Sequence, residues 1–197
     1  MKKIVVLIVW LVAFFAVDQK MHLCAAQDNL ASNIPPAQLQ NDLISTNGAT
    51  RFRLAKSLAL DHTKATFTAL LKLLHDTNVD ISYAAAVSIE KRKDVAFDGE
   101  LINAIGALPR DNRWPAYSAA KNYPTPHMMK YLWQCLNEEI EFQGRRNVFD
   151  NRNCFYLSQS LEQIAHDLGN KVNVKAPGND YELKDYQLFA SGIQLNN

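Results

Sequence analysis

Three carboxylates stand close together in the second half of the chain, at Glu138, Glu139 and Glu141. Carboxylates in such a group can do acid–base work or bind a cation. Counted from Leu132 at about 100° per residue, Glu141 lies opposite the apolar stripe of its predicted helix and Glu138 lies well off it. We therefore expect these carboxylates to lie on a solvated helix face.

The other residue types that carry catalysis show no characteristic spacing. No two of the five histidines have the i, i+4 spacing of a helical metal site, and there is no Cys-x-x-Cys pair. A Gly-x-Ser-x-Gly nucleophile turn and a glycine-rich phosphate loop are both missing from the sequence. We predict a chain with no catalytic residue, no metal site and no cofactor.

Two cysteines, Cys135 and Cys154, stand far from the N-terminus. In an exported protein such a pair is a disulfide candidate, and two buried free thiols are the alternative. The pair lies on either side of an inserted loop, and the return segment is long enough to bring Cys154 alongside the helix that carries Cys135. The sequence predicts a Cys135–Cys154 disulfide that would enclose about 20 residues and stabilise the fold by roughly 3 kcal/mol.

The inserted loop, residues 144–152, concentrates arginines and one phenylalanine. A tolerated surface insertion is one interpretation, but long loops on a rigid scaffold often carry function. We take it as the leading partner contact, through Arg145, Arg146, Phe149 and Arg152.

Two aromatic side chains precede this loop on the same predicted helix. Tyr131 and Trp133 lie at about ±100° from Leu132, which places them on the two edges of the buried stripe. Each either packs against a neighbouring helix or anchors a partner. Lys130 and Asn137, which flank them, complete this second candidate surface.

These residues belong to a chain that repeats itself. Segments that begin at Thr50, Ile81 and Asn112 are 31 residues apart and place aromatic residues at their third position, namely Phe52, Tyr83 and Trp114. A looser fourth copy begins at Asn153, after an interval of 41 residues. A fixed period of this length is the signature of a repeat architecture.

A second helical pattern follows each of the first three segments, over Thr66 to His75, Glu100 to Leu108 and His127 to Phe142. Asp, Asn, Thr and Pro stand at the breaks, as at helix starts. Alanines in the first helix of each pair allow close approach of neighbouring backbones, while leucines of the second helix fill the layer. The predicted fold is all-α, with about four helical hairpins.

The stretch LLKLLHDTNVDISYAAAVSI resembles the HEAT-repeat family in its short HEAT-like form, in which a leucine-rich helix and an Asp-containing turn precede V-R-x-x-A-A-x-A-L. Arg51 and Arg113 stand at the arginine position of this pattern, and Ser82 departs from it. The resemblance implies an α-superhelix over residues 49–168, with Asp76 and Asp111 in a polar ladder between units.

Capping segments are expected at both ends of such a stack. Residues 27–48 carry an N-terminal capping helix over Ala37 to Ser45. Residues 169–197 comprise a linker and a closing helix that begins after Asn179 and stops near Gly192.

Residues 1–26 have the pattern of a secretory signal peptide. Lys2 and Lys3 precede a 14-residue apolar run, and Cys24-Ala25-Ala26 suits cleavage before Gln27. A retained membrane anchor and lipidation at Cys24 are the alternatives. Cleavage implies a periplasmic or secreted protein.

The charge of the mature chain is close to neutral. Removing three lysines and Asp18 from totals of 21 basic and 20 acidic residues leaves 18 and 19. This balance gives no footprint for nucleic acid or for an anionic membrane, so no membrane contact is expected beyond the export signal.

We expect an exported HEAT-like scaffold that binds a protein partner and is not catalytic. The resemblance implies a concave surface lined by the second helices, at Lys64, Lys72, Asn103, Lys130, Trp133, Gln134 and Asn137. One alternative is a cell-envelope immunity protein that neutralises a toxin. Another is an accessory factor or enzyme of the HEAT-like lyase type, which acts in bilin attachment.

The signal-peptide interpretation makes a direct prediction about mass. Exported protein is expected to lack residues 1–26, because cleavage follows the Cys24-Ala25-Ala26 segment. Intact-mass spectrometry of the exported material measures this. A mass that includes Met1, or added lipid on Cys24, would contradict it.

Overall fold

The computed structural model describes residues 34–146, 149–178 and 181–193. The predicted signal peptide lies outside these residues. The described ranges contain nine α-helices, and the predicted all-α class is confirmed. They are α1 Pro36–Leu43, α2 Gly48–Ser57, α3 Lys64–Leu74, α4 Val79–Arg92, α5 Asp98–Ala107, α6 Trp114–Ala120, α7 Pro126–Gly144, α8 Arg152–Asp167 and α9 Leu183–Gly192.

Polar residues start four of the helices, and three of these residues, Thr63, Asn78 and Thr125, stand at predicted breaks. Asn47, Thr63, Asn78 and Thr125 are the N-caps of α2, α3, α4 and α7. The side chain of each accepts a hydrogen bond from a backbone amide two or three residues later. These bonds satisfy amides that have no partner within the helix.

The helices pack in two layers according to their order in the chain. Each of α2, α4, α6 and α8 packs against the next, and these form the even layer. The helices α1, α3, α5, α7 and α9 pack against one another in the same order and form the odd layer, which covers one face of the even layer. Among the described residues, no helix is both long enough and apolar enough to cross a bilayer.

The four sequence segments occupy equivalent places in the even layer. Their fifth and ninth positions are one helical turn apart and face the core. Side chains at these positions are at most 3% exposed, namely Leu54, Leu58, Ala85, Ile89, Ala116, Ala120, Leu157 and Leu161. The burial supports the 31-residue register, while membership of the HEAT-repeat family stays a prediction.

In the first three segments, the residue at the second position reaches the end of the preceding odd helix. Arg51 donates to Ser45 O at 2.6 Å, and Ser82 Oγ donates to Leu74 O at 2.7 Å. Arg113 donates to the carbonyl oxygens of Gly106 and Leu108, at 3.0 and 2.9 Å. Carbonyls at helix ends need such donors. Ser82 therefore does the same work as the arginines.

The expected polar ladder is present at Asp76 and differs at Asp111. Arg51 Nε lies 2.6 Å from Asp76 Oδ2, which joins α2 to the turn before α4. Burial raises the pKa of Asp76, but the hydrogen bonds from Arg51 and the Asn78 backbone outweigh it and leave the pKa below its ordinary value. Asp111 is exposed, because the Arg113 guanidinium donates to main-chain carbonyls instead.

A buried cation joins the two layers near the end of α4. The Arg92 side chain is inaccessible to solvent, and its Nε lies 2.6 Å from Asp94 Oδ2. Its terminal nitrogens donate to Thr66 Oγ1 and Thr63 O, both at 3.0 Å. A buried charge is tolerated only when it is paired in this way.

The predicted disulfide between Cys135 and Cys154 is wrong, because both residues are buried free thiols. Cys135 contacts Tyr117 and Tyr131. The Cys154 thiol lies near Glu139, which is one helical turn beyond Cys135 on α7. The two sulfur atoms therefore face different neighbours.

Both thiols are expected to be unreactive in the folded protein. Burial raises the pKa of Cys135 and raises that of Cys154 to about 12, which suppresses the reactive thiolate. Titration of the mature chain with a thiol reagent measures this. We expect slow reaction of native protein and two thiols per chain after denaturation without reductant. Fewer than two would contradict the structure.

Ala86→Leu is expected to destabilise the fold, although leucine is an excellent helix former. Ala86 on α4 is 2% exposed, and overpacking at such a site costs about 1–3 kcal/mol. Thermal unfolding measures the change. Lys91→Leu, at an exposed position of the same helix, is the matched control. An unchanged or higher Tm for Ala86→Leu would show that this position is not closely packed.

Candidate binding groove

The carboxylate cluster is only partly solvated. Glu138 and Glu141 are exposed as predicted, but the prediction is wrong for Glu139, which is 1% exposed. Its oxygens accept hydrogen bonds from Arg110 Nη1 at 2.9 Å, Gln143 Nε2 at 2.7 Å and Asn153 Nδ2 at 3.3 Å. The charge of Glu139 is therefore committed to holding three segments together.

This network closes the base of the arginine loop. Gln143 also accepts a hydrogen bond from the backbone amide of Asp150 at 3.1 Å, across the loop. Asn153 donates to Arg110 O at 3.1 Å as well. Hydrogen bonds thus take the place that the sequence assigned to a disulfide.

Within the loop, the predicted contact residues have internal partners. Arg152 pairs with Asp150 at 2.7 Å, and Arg145 lies 3.6 Å from Glu141. Arg146 lies over the Phe142 ring, and Phe149 packs against Tyr186 with ring centroids 6.0 Å apart. Residues 147 and 148 lie outside the described ranges. The loop stays a predicted contact, and its arginines remain exposed.

The aromatic residues of α7 are also engaged. Trp133 is half-buried against α9, and its Nε1 donates to the Ala190 carbonyl at 3.2 Å. Tyr131 is half-buried near Gly106, while Lys130 is exposed. Asn137 is exposed and donates to Trp133 O at 2.8 Å. Trp133 therefore supports the closing helix.

The remaining side chains predicted on the odd layer are polar and exposed. They are Lys64, Lys72, Asn103 and Gln134, and Lys64 lies 3.3 Å from Glu100. The described part of the chain has no group of three or more His, Cys, Asp or Glu residues that could hold a metal ion.

The even layer carries a row of aromatic rings on its outer surface. These rings come from successive helices: Tyr83 lies 5.6 Å from Trp114, and Trp114 lies 5.2 Å from Tyr156. Such separations are typical of attractive aromatic pairs. Each ring of the row packs against a ring of a neighbouring even helix.

An open groove of about 820 Å³ lies beside Tyr83, at the end of this row, between the starts of α2 and α4. Phe52, 37% exposed, and Tyr83, 49% exposed, line it from the two helices. Gly48 and Ala49 leave space there, since a methyl group on Gly48 would lie 3.8 Å from Ile81 Cδ1.

Some polar groups that line the groove are hydrogen-bonded within the protein, and others are available to a ligand. The backbone amide of Asn78 donates to Asp76 Oδ1, and the side-chain Oδ1 of Asn78 accepts from the backbone amide of Asp80, both at 2.9 Å. Arg53 donates through Nε to Ala49 O at 3.4 Å, and within the described ranges its terminal nitrogens have no partner. Among the described residues, the Asp80 carboxylate has no side-chain partner. The groove thus combines apolar surface with one available charge of each sign.

The aromatic residues at the third positions are apparent from the sequence, but they were not predicted to form a site. Their exposure could have been predicted, because the third position lies on the helix face opposite the buried fifth and ninth positions. An aromatic residue repeated on an outer helix face indicates an exposed row.

Comparisons with known proteins leave the family open. The chain matches no protein-family model, no curated protein and no solved structure at a significant level. The candidate site therefore rests on the geometry of the groove between α2 and α4.

Proposed function

We propose that this protein is an exported, non-catalytic scaffold that binds a segment of a protein partner in the groove between α2 and α4. The observation that carries the proposal is the exposure of Phe52 and Tyr83 on facing walls of an open groove. Tyrosine and other aromatic residues that enter a partner's surface often supply most of the binding energy. The predicted export signal and the resemblance to HEAT-like repeats support the scaffold role.

A macromolecular ligand suits this groove better than a small molecule. Sites for small molecules bury most of their ligand, whereas this depression is open along the surface. Two further apolar side chains close in sequence to its lining residues are exposed, at Ile44, 76% exposed, and Val79, 59% exposed. Exposed apolar side chains of this size are candidates for contact with a partner.

The buried ionisable groups support a non-catalytic role. Arg92 and Glu139 are each held by hydrogen bonds to other parts of the chain. Both buried thiols have raised pKa values, which opposes nucleophilic chemistry. These groups stabilise the two layers.

Ala49→Trp is expected to abolish partner binding, because the indole would fill the groove. Affinity capture with chemical crosslinking of the mature protein, in the envelope or secreted fraction of its own organism, identifies the partner by mass spectrometry. Ala65→Trp is the matched control, since Ala65 is exposed at the second position of α3 as Ala49 is of α2. The Tm of each variant is measured alongside.

We expect wild type and Ala65→Trp to capture the same partner and Ala49→Trp to lose it. Retention of the partner by a folded Ala49→Trp variant would contradict the groove. Loss of the partner in an Arg145→Ala, Arg146→Ala double variant, with Ala49→Trp still active, would place the contact at the loop.

A further inference from the structure

We infer that the groove accepts a proline-rich segment in the polyproline II conformation, with a basic residue placed at Asp80. This inference rests on the proposed function and specifies the chemistry of the partner. It follows from the length of the groove, its hydrogen-bonding groups and its two charges.

The groove is too short for the other common modes of peptide recognition. It extends from Gly48 to Arg53 on α2, which is about 7.5 Å along the helix axis at 1.5 Å per residue. An amphipathic helix needs anchors over about two turns, or roughly 10 Å. Addition of a strand requires a sheet edge, and both walls are helical. Three residues of polyproline II cover two intervals of about 3.1 Å, or roughly 6 Å between the first and last Cα atoms, which fits the available length.

The free polar groups on the walls are mainly donors. Among the described residues, the Nη atoms of Arg53, the side-chain nitrogen of Asn78 and the Tyr83 hydroxyl have no protein partner. A polyproline II segment presents carbonyl oxygens without internal hydrogen bonds, and proline has no amide donor. Donors on the protein thus match acceptors on the segment.

The aromatic walls provide flat surfaces for proline rings. Phe52 and Tyr83 stand on opposite sides of the groove, as the aromatic residues do in domains that recognise proline-rich segments. Trp114 contacts Tyr83 and is itself stacked on Tyr156, so the tyrosine is held in place before binding. Preorganisation lowers the entropy lost on association.

The two charges specify a basic residue and a direction. The Asp80 carboxylate lies in the first turn of α4, where the helix dipole stabilises negative charge. A lysine or arginine of the segment can pair with it. Arg53, on the α2 wall, repels the same residue, so the basic residue of the segment is expected to lie beside Asp80 at the start of α4 and away from Arg53.

The test measures fluorescence anisotropy of two labelled peptides, Ala-Pro-Pro-Leu-Pro-Pro-Arg and its reverse sequence, with mature protein. We expect one of them to bind, and both an all-alanine replacement of its prolines and a glutamate in place of arginine to weaken binding about tenfold or more. Asp80→Lys is expected to reverse the preference between arginine and glutamate peptides. Tyr83→Ala is expected to weaken binding about tenfold, as for an interface anchor.

Tyr83→Phe keeps the ring against Trp114 and removes only the hydroxyl donor, so we expect it to weaken binding less than Tyr83→Ala does. Ala65→Trp, which lies outside the groove, is expected to leave binding unchanged, and the Tm of each variant shows whether it is folded. Equal binding of proline and alanine peptides, or binding indifferent to Asp80→Lys, would overturn the inference.

Two further outcomes separate this inference from the proposed function. Failure of both proline peptides, with partner capture still lost in Ala49→Trp, would overturn the inference and leave the proposed function standing. Failure of the peptides together with capture that Ala49→Trp leaves intact would overturn both. A dimer seen by sedimentation and lost in Tyr83→Ala would assign the groove to a second copy of the chain.

Discussion

The close approach of helices within the even layer is the constraint on which the rest of the structure depends. The neighbouring helices α4 and α6 pack against each other and carry small side chains that are at most 2% exposed, at Ala85, Ala86, Ala116, Ala119 and Ala120. Where two helices pack closely through alanines, a larger side chain has no space. Where the even layer carries these alanines, larger side chains of the odd layer fill the core, as Phe67, Leu70 and Leu74 do on α3.

The same constraint determines the outer surface. With the fifth and ninth positions of each even helix committed to the core, an aromatic residue at the third position has to lie outside. The rings of Tyr83 and Trp114, both at third positions, have centroids 5.6 Å apart, and Trp114 stacks on Tyr156, the fourth residue of its segment, at 5.2 Å. The row ends at α2, where Gly48 and Ala49 are too small to fill the space beside Tyr83, and the groove forms there.

Features that depend on local periodicity could be predicted from the sequence. The helices, their breaks and the register of the four segments all follow from residues within one or two turns of each other. The burial of Glu139 could not be predicted in this way, because Arg110 is 29 residues away in sequence and Asn153 is 14 away. Trp133 donates a hydrogen bond to the carbonyl oxygen of Ala190, which is 57 residues away in sequence. Contacts at such distances are set by the packing of whole helices.

The surroundings of Cys154 could have been predicted from its place in the repeat. Cys154 occupies the second position of its segment, where Ser82 and Arg113 reach the C-terminal end of the preceding odd helix. The end of α7 is at Gly144, more than two turns beyond Cys135, so the column directs Cys154 toward Glu139. The inserted loop did not change this relation, since Leu157 and Leu161 are still fully buried. The hydrogen bond from Asn153 to Glu139 joins α8 to α7 beside Cys154, so a polar network, and not a covalent bridge at Cys135, connects these two helices across the longer interval.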